Sequence, residues 1–210
     1  MDTHPASPCE TLAERYQSLL EVAEAISVHR DLHVLFRDLA QRLPRVVHVN
    51  FIALTLHDPD RNTMRLHTIQ ANVPADLVGG HESQVEESPA GLVWQTQQSI
   101  LVPDLAEERR WPTVIGRMQE DGANSFCFVP LTTAVRRLGA IGFLSLQKDA
   151  YGEADLEFLQ QVAKLVAVAV DNVLNFAGAE AAQQSLARER DRLSLVLEIN
   201  NAVVSHLELR

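Results

Sequence analysis

Cysteine is scarce. Only Cys9 and Cys127 occur, far apart and without the spacing of a metal site. That usage fits a reducing compartment, although two cysteines could pair. No apolar run approaches the roughly 20 residues of a membrane span. Residues 1–9 lack a basic segment followed by an apolar one, so no signal peptide is expected and the expected location is cytoplasmic. Basic charge is also short. Lys and Arg number 18 against 28 Asp and Glu, a net charge of −10, and the basic clusters are as brief as Arg109-Arg110, Arg136-Arg137 and Arg188-Glu189-Arg190. A nucleic-acid binder carries a basic stripe, so direct nucleic-acid contact by this segment is not expected. Catalytic signatures are missing too: the chain has no G-x-S-x-G elbow, no H-E-x-x-H and no G-x-x-x-x-G-K-[ST] loop.

What is present is a core-forming chain of 210 residues, 46% hydrophobic, long enough for one ordinary domain with helix to spare. Pro5, Ser7 and Pro8 mark a frayed start over residues 1–10. From Thr11 the apolar residues Leu12, Tyr16, Leu19, Ala23 and Ile26 recur at helical steps. Asp31 can cap a second helix that Pro44 stops. The period then changes to two. Phe51 to Leu56 and Met64 to Gln70 read as a hairpin around Asp58-Pro59-Asp60-Arg61-Asn62. Residues 71–90 read as loop, Ala90 to Thr96 as a short helix, and Ser99 to Val102 as a strand. Thr113 to Glu120 is helical, and Ser125 to Leu131 and Ala140 to Leu146 are strands. Glu153 to about Asn201 is nearly continuous helix, weakened only at Gly178.

Strands joined this tightly pair antiparallel. The amphipathic terminal helices must bury one face against the sheet. The expected fold is therefore α/β (α+β): an antiparallel sheet with terminal helices on one face. Pocket-forming loops and short helices cover the other face, and a long C-terminal helix follows.

These residues resemble the GAF domain family, a small-molecule-sensing relative of the PAS fold. The stretch from Gly91 to Asp104 is similar to the family's short helix, strand and aspartate. Val129-Pro130-Leu131 with Leu138 to Leu146 resembles its last hairpin, and Tyr151, Asp155, Leu156, Phe158, Leu159, Val162, Ala163, Ala167 and Asn172 its closing helix. The likeness runs over about residues 12–175. Farther on, Glu189-Arg190-Asp191-Arg192-Leu193 and Ile199 to Ser205 resemble the linker before a second such domain in sigma-N-dependent activators of the formate hydrogenlyase activator type. An internal match supports this, since Leu20, Glu21, Ala25, Ile26, His29 and Leu32 overlay Leu197, Glu198, Ala202, Val203, His206 and Leu209 at constant offset. The expected layout is a sensor domain over 11–175, a linker helix over 176–196 and the beginning of a truncated second repeat over 197–210.

Sequence alone offers few chemical sites. His29 and His33, one turn apart, read as solvated surface residues, and His57 and His67 are placed opposite each other across the hairpin. Some relatives reduce free methionine sulfoxide with several cysteines around the pocket; here Cys127 has only Cys9 as a partner, and a buried strand cysteine is ordinarily an inert hydrophobe. The Cys-His pair of bilin binders and the cyclic-nucleotide pattern are absent, so no cofactor or metal is expected. Alternation turns Ile52, Leu54 and Leu56 toward the terminal helices and Phe51, Ala53 and Thr55 toward the pocket. The same reasoning places Gly142, Leu144 and Leu146 under the last helix and Ile141, Phe143 and Ser145 at the pocket. The candidate ligand-binding residues are Phe51, Trp94, Trp111, Arg117, Met118, Phe126, Cys127 and Phe143. Their bland alternative is a second small core.

The function expected is a sensor domain of a bacterial-type transcriptional activator, without enzymatic activity, binding an unidentified small molecule. The alternatives are the sensor of a histidine kinase or cyclic-dinucleotide enzyme and, further off, a sulfoxide reductase. The last helix, at about 1.5 Å per residue, reaches close to 70 Å, longer than a sheet can cover. Leu186 and Leu193, with Ala179 a heptad earlier and Val196 beside them, suit a homodimer seam that Glu189 weakens.

Overall fold

The segment where the period changes to two does become a hairpin. In the computed structural model, β1 spans Phe51–Asp58 and β2 spans Thr63–Ala71. The structure describes residues 41–71 and 80–207, together with Gln17, Val34, Arg37 and Leu39. The expected helices over residues 11–40, the pair His29 and His33, and the internal match at residues 20–32 lie outside the described residues, apart from those four positions. The remaining elements are β3 (Glu82–Gln84), α1 (Pro89–Thr96), β4 (Ile100–Val102), α2 (Pro112–Glu120), β5 (Ser125–Thr132), β6 (Arg137–Ser145) and α3 (Glu153–Leu207). β3 falls in a stretch that the sequence reads as loop, since Glu-Ser-Gln carries no apolar alternation.

Six strands form one sheet in the order β3-β2-β1-β6-β5-β4, every neighbouring pair antiparallel. The register settles the two faces, because residues directly opposite each other point to the same side. Phe51 lies opposite Leu144, Ala53 opposite Gly142 and Thr55 opposite Ala140. On the next pair, Phe126 lies opposite Leu144 and Phe128 opposite Gly142. One face therefore carries Phe51, Ala53, Thr55, Phe126, Phe128 and Leu144. The other carries Ile52, Leu54, Cys127, Ile141 and Phe143. This reverses the expectation for β6. Phe143 and Ile141 turn away from the side of Phe51, and Gly142 and Leu144 turn toward it. A bulge between Leu54 and Thr55 also skips His67, so His57 pairs with Met64 and does not face His67.

Helix α3 begins where Asp155 accepts a hydrogen bond from the Gly152 N–H at 3.0 Å, half of a capping box. Its stripe Phe158, Leu159, Val162, Ala163, Val166 and Val170 is buried. The start of α3 lies near the Ile52–Phe143 face, where the charge of Asp155 is felt by Cys127. An 18-residue window of this helix reaches a mean hydropathy of 1.4. By length and composition it could cross a membrane, contrary to the expectation above; the buried stripe accounts for part of its apolar residues, while Val168 and Phe176 are exposed. The opposite face is covered by α1 and α2, which bury Ala90, Val93, Trp111 and Ile115 over Phe51, Phe126 and Phe128. The chain divides into two compact units between Asp171 and Asn172. In the second, Phe176, Leu186 and Leu193 are exposed on the helix.

Candidate functional site

The face of the sheet under α1 and α2 is not filled. Phe51, Ala53 and Thr55 of β1, Met64 and Leu66 of β2, and Phe128 and Leu144 of the last strands floor a cavity of about 550 Å³. That volume is in the range of small-molecule sites, about 300–1,000 Å³. Local sequence builds its walls. Ser88 caps α1 by accepting a hydrogen bond from the Gly91 N–H at 3.0 Å, and Pro89 takes the first helical position, where its missing N–H costs nothing. Gly91 lets this turn press on the backbone of Val85, since any Cβ there would collide with the Val85 carbonyl. Ser88, Pro89 and Ala90 thereby line one wall, and Val114, Arg117 and Met118 of α2 line another.

Charge is confined to the mouth. His81, Glu82, Arg117, Glu120 and Asp121 all border the cavity and all are exposed. Glu82 is held by Arg61 at 3.1 Å and lies 4.0 Å from Arg65. Arg117 makes no hydrogen bond or ion pair with its guanidinium among the described residues. Burial pushes the Asp121 carboxyl above its ordinary range; neighbouring Glu120 adds to this and His81 opposes it.

Of the eight expected ligand-binding residues, Phe51, Arg117 and Met118 line the cavity. Phe126 and Trp111 belong to the core beside it and do not reach it. Trp94 packs on the edge of that core. Its ring stacks on His57 with centroids 3.8 Å apart, and its Nε1–H donates to the Arg137 carbonyl at 3.4 Å. Cys127 and Phe143 stand opposite one another on the far face of the sheet, outside the cavity. Sequence reasoning missed Met64, Leu66, Ser88, Phe128 and Leu144. The alternation that correctly turned Phe51, Ala53 and Thr55 inward would have found Leu144 had β6 been set in register.

The thiol of Cys127 is pushed up to about 12 by burial and by the charge of Asp155. At neutral pH it is not a thiolate and so not a nucleophile. Among the described residues, no three His, Cys, Asp or Glu side chains gather as a metal site.

Known proteins carry the same pattern. The model of the GAF domain family matches residues 29–171. The chain is 22% identical over 197 residues to the formate hydrogenlyase transcriptional activator of Salmonella typhimurium strain LT2, covering 90% of this chain and 27% of that protein. It is 21% identical over 198 residues to the activator of that name from Escherichia coli K12. The chain thus spans about a quarter of the length of the curated relatives it matches. Among solved structures, a GAF domain of a phosphoenolpyruvate-protein phosphotransferase from Coxiella burnetii superimposes with a TM-score of 0.67 at 17% identity, covering 79% of this chain and 98% of that one. A free methionine-R-sulfoxide reductase from Neisseria meningitidis, solved with its substrate, gives 0.63 at 15% identity, covering 83% and 98%. With the family model spanning more than half of its residues, the chain belongs to the GAF domain family.

Proposed function

We propose that this chain is the ligand-sensing part of a cytoplasmic transcriptional activator. In this reading a small molecule taken into the cavity biases the position of α3, which carries the signal onward. The observation that carries it is the cavity itself, floored by the strand from which α3 follows. Leu144 faces the cavity while adjacent Phe143 faces α3, so a shift of β6 is felt on both sides. Two facts support the activator assignment: the likeness to the formate hydrogenlyase activators covers 90% of the chain, and it is longer than the stretch matched by the family model. The inert thiol of Cys127 favours regulation over reductase chemistry. Exposed Leu186 and Leu193, one heptad apart, favour a homodimer through the helix.

A ligand shifts such an equilibrium only by its difference in affinity for the two helix arrangements. The test is to find a ligand by thermal shift, then measure spin-label distances across the dimer with labels beside Leu186. The distances should change on binding. A ligand that raises the melting temperature and leaves them unchanged refutes signalling through the helix. A chain that sediments only as monomer at high micromolar concentration refutes the dimer.

A further inference from the structure

The cavity is graded in polarity from mouth to floor. Every charged or titratable lining residue is exposed, whereas Phe51, Ala53, Met64, Phe128 and Leu144 are buried. Two hydroxyls interrupt the buried apolar lining, and both have donors to spare. Ser88, 3% exposed, accepts from the Gly91 N–H, and its own O–H has no acceptor among the described residues. Thr55 is 8% exposed, and its side-chain hydroxyl has no hydrogen-bond partner among the described residues. Its hydroxyl is nevertheless not sealed from solvent, as that of Thr63 is, so it opens on the cavity its residue lines. Buried hydroxyls normally find partners. An acceptor atom brought by a ligand would complete these two.

We infer that the cavity takes an uncharged, largely apolar molecule of aromatic size carrying a carbonyl or hydroxyl oxygen, which meets the hydroxyls of Ser88 and Thr55. This rests on reading the cavity as a ligand site. Small anions and phosphorylated compounds are disfavoured on the same observations. No cation lines the inner cavity, and an ionised group there would be desolvated without a partner, a loss that a hydrogen bond from a hydroxyl does not offset. Phe51 and Phe128 on the floor offer ring faces and edges to an aromatic body.

Three probes of one size separate the possibilities: acetophenone, ethylbenzene and benzoate. They are titrated by NMR into the whole chain at neutral pH, then into Thr55→Val, Ser88→Ala, the double variant, and Ala53→Trp, which fills the floor. Thr55→Val keeps the shape of the side chain, so it remains informative where loss of the α1 cap destabilises Ser88→Ala. Acetophenone is expected to bind up to about tenfold more tightly than ethylbenzene, as one or two hydroxyl donors would give. That gap should shrink in Thr55→Val and close in the double variant. Benzoate should bind at least about a hundredfold more weakly than acetophenone, and Ala53→Trp should abolish all binding. Benzoate binding as well as acetophenone, or a gap that survives the double variant, overturns the ligand class while leaving the site intact, provided Ala53→Trp blocks the probes. Failure of all three probes, or binding indifferent to Ala53→Trp, overturns the ligand site along with the class.

Discussion

Replacing Gly142 by alanine tests both the sidedness of β6 and the room in the cavity. A Cβ on Gly142 would stand 2.5 Å from Cζ of Phe128, 2.7 Å from its Cε1 and 3.0 Å from its Cε2. Ordinary contact begins near 3.4 Å, so the ring must retreat by about an ångström. Phe126 stands edge-on to it at 5.1 Å, and the direction left open is the cavity. Overpacking of this kind costs about 1–3 kcal/mol. For a chain of this size that lowers the melting temperature by roughly 2–12 °C. A ring displaced into the cavity should also weaken the acetophenone probe. Phe128→Leu made in the alanine background should restore part of both losses, because the two side chains compete for one space. Calorimetry on the four proteins of this cycle, with a probe titration on each, measures the coupling. Gly142→Ala that melts within about 1 °C of the parent and binds the probe unchanged would refute the packing of Phe128 over Gly142, as would strict additivity.

Phe143→Ala should cost about 3–5 kcal/mol by emptying the α3 face, yet leave probe affinity of the folded protein unchanged; a probe titration under conditions where the variant is fully folded decides it, and lost binding there contradicts the register. Cys127 should resist thiol reagents at pH 8 in the native protein and react promptly in denaturant, because burial keeps the thiol protonated; rapid native labelling would mean an open thiol. The hydrogen bond from Arg110 holds the Glu108 carboxyl down to about 2, from an ordinary 4.5. A folded value below the unfolded one gives stability that is complete above 4.5 and lost as pH falls through about 2. Arg110→Gln should therefore be least stable relative to the parent near neutrality. The gap should narrow through that window without closing, since the stack of Arg110 on Trp111 at 4.3 Å persists in acid. Urea denaturation along the pH series measures it, and a gap that widens in acid would contradict the pairing.

How much was legible follows from where the chain alternates. In β1 the turn Asp58-Pro59-Asp60 fixes the hairpin, and the sequence sends Phe51, Ala53 and Thr55 to the correct side. In β6 every residue from Leu138 to Ser145 is buried, so apolarity recurs at every position and carries no information about sides. Only the pairing of Leu144 with Phe51 supplies it, and that is a contact between distant parts of the chain. His67 was misplaced for a related reason, because a bulge removes one residue from the count with no mark in composition. Trp94 and Trp111 read as pocket residues because both lie in the segments that cover that face and a buried indole N–H needs a partner. The structure spends Trp94 on His57 and Trp111 on the core.

The strand order has a kinetic consequence. β1 meets β2 after a four-residue turn, but its other edge waits for β6, roughly ninety residues later, and such non-local closure is slow. While the chain emerges from the ribosome, the hairpin of β1 and β2 must therefore persist with the backbone edge of β1 unpaired until β6 has been made. A nascent chain arrested before Arg137 would present one unpaired, strongly apolar edge, and that interval is when this protein is most exposed to aggregation.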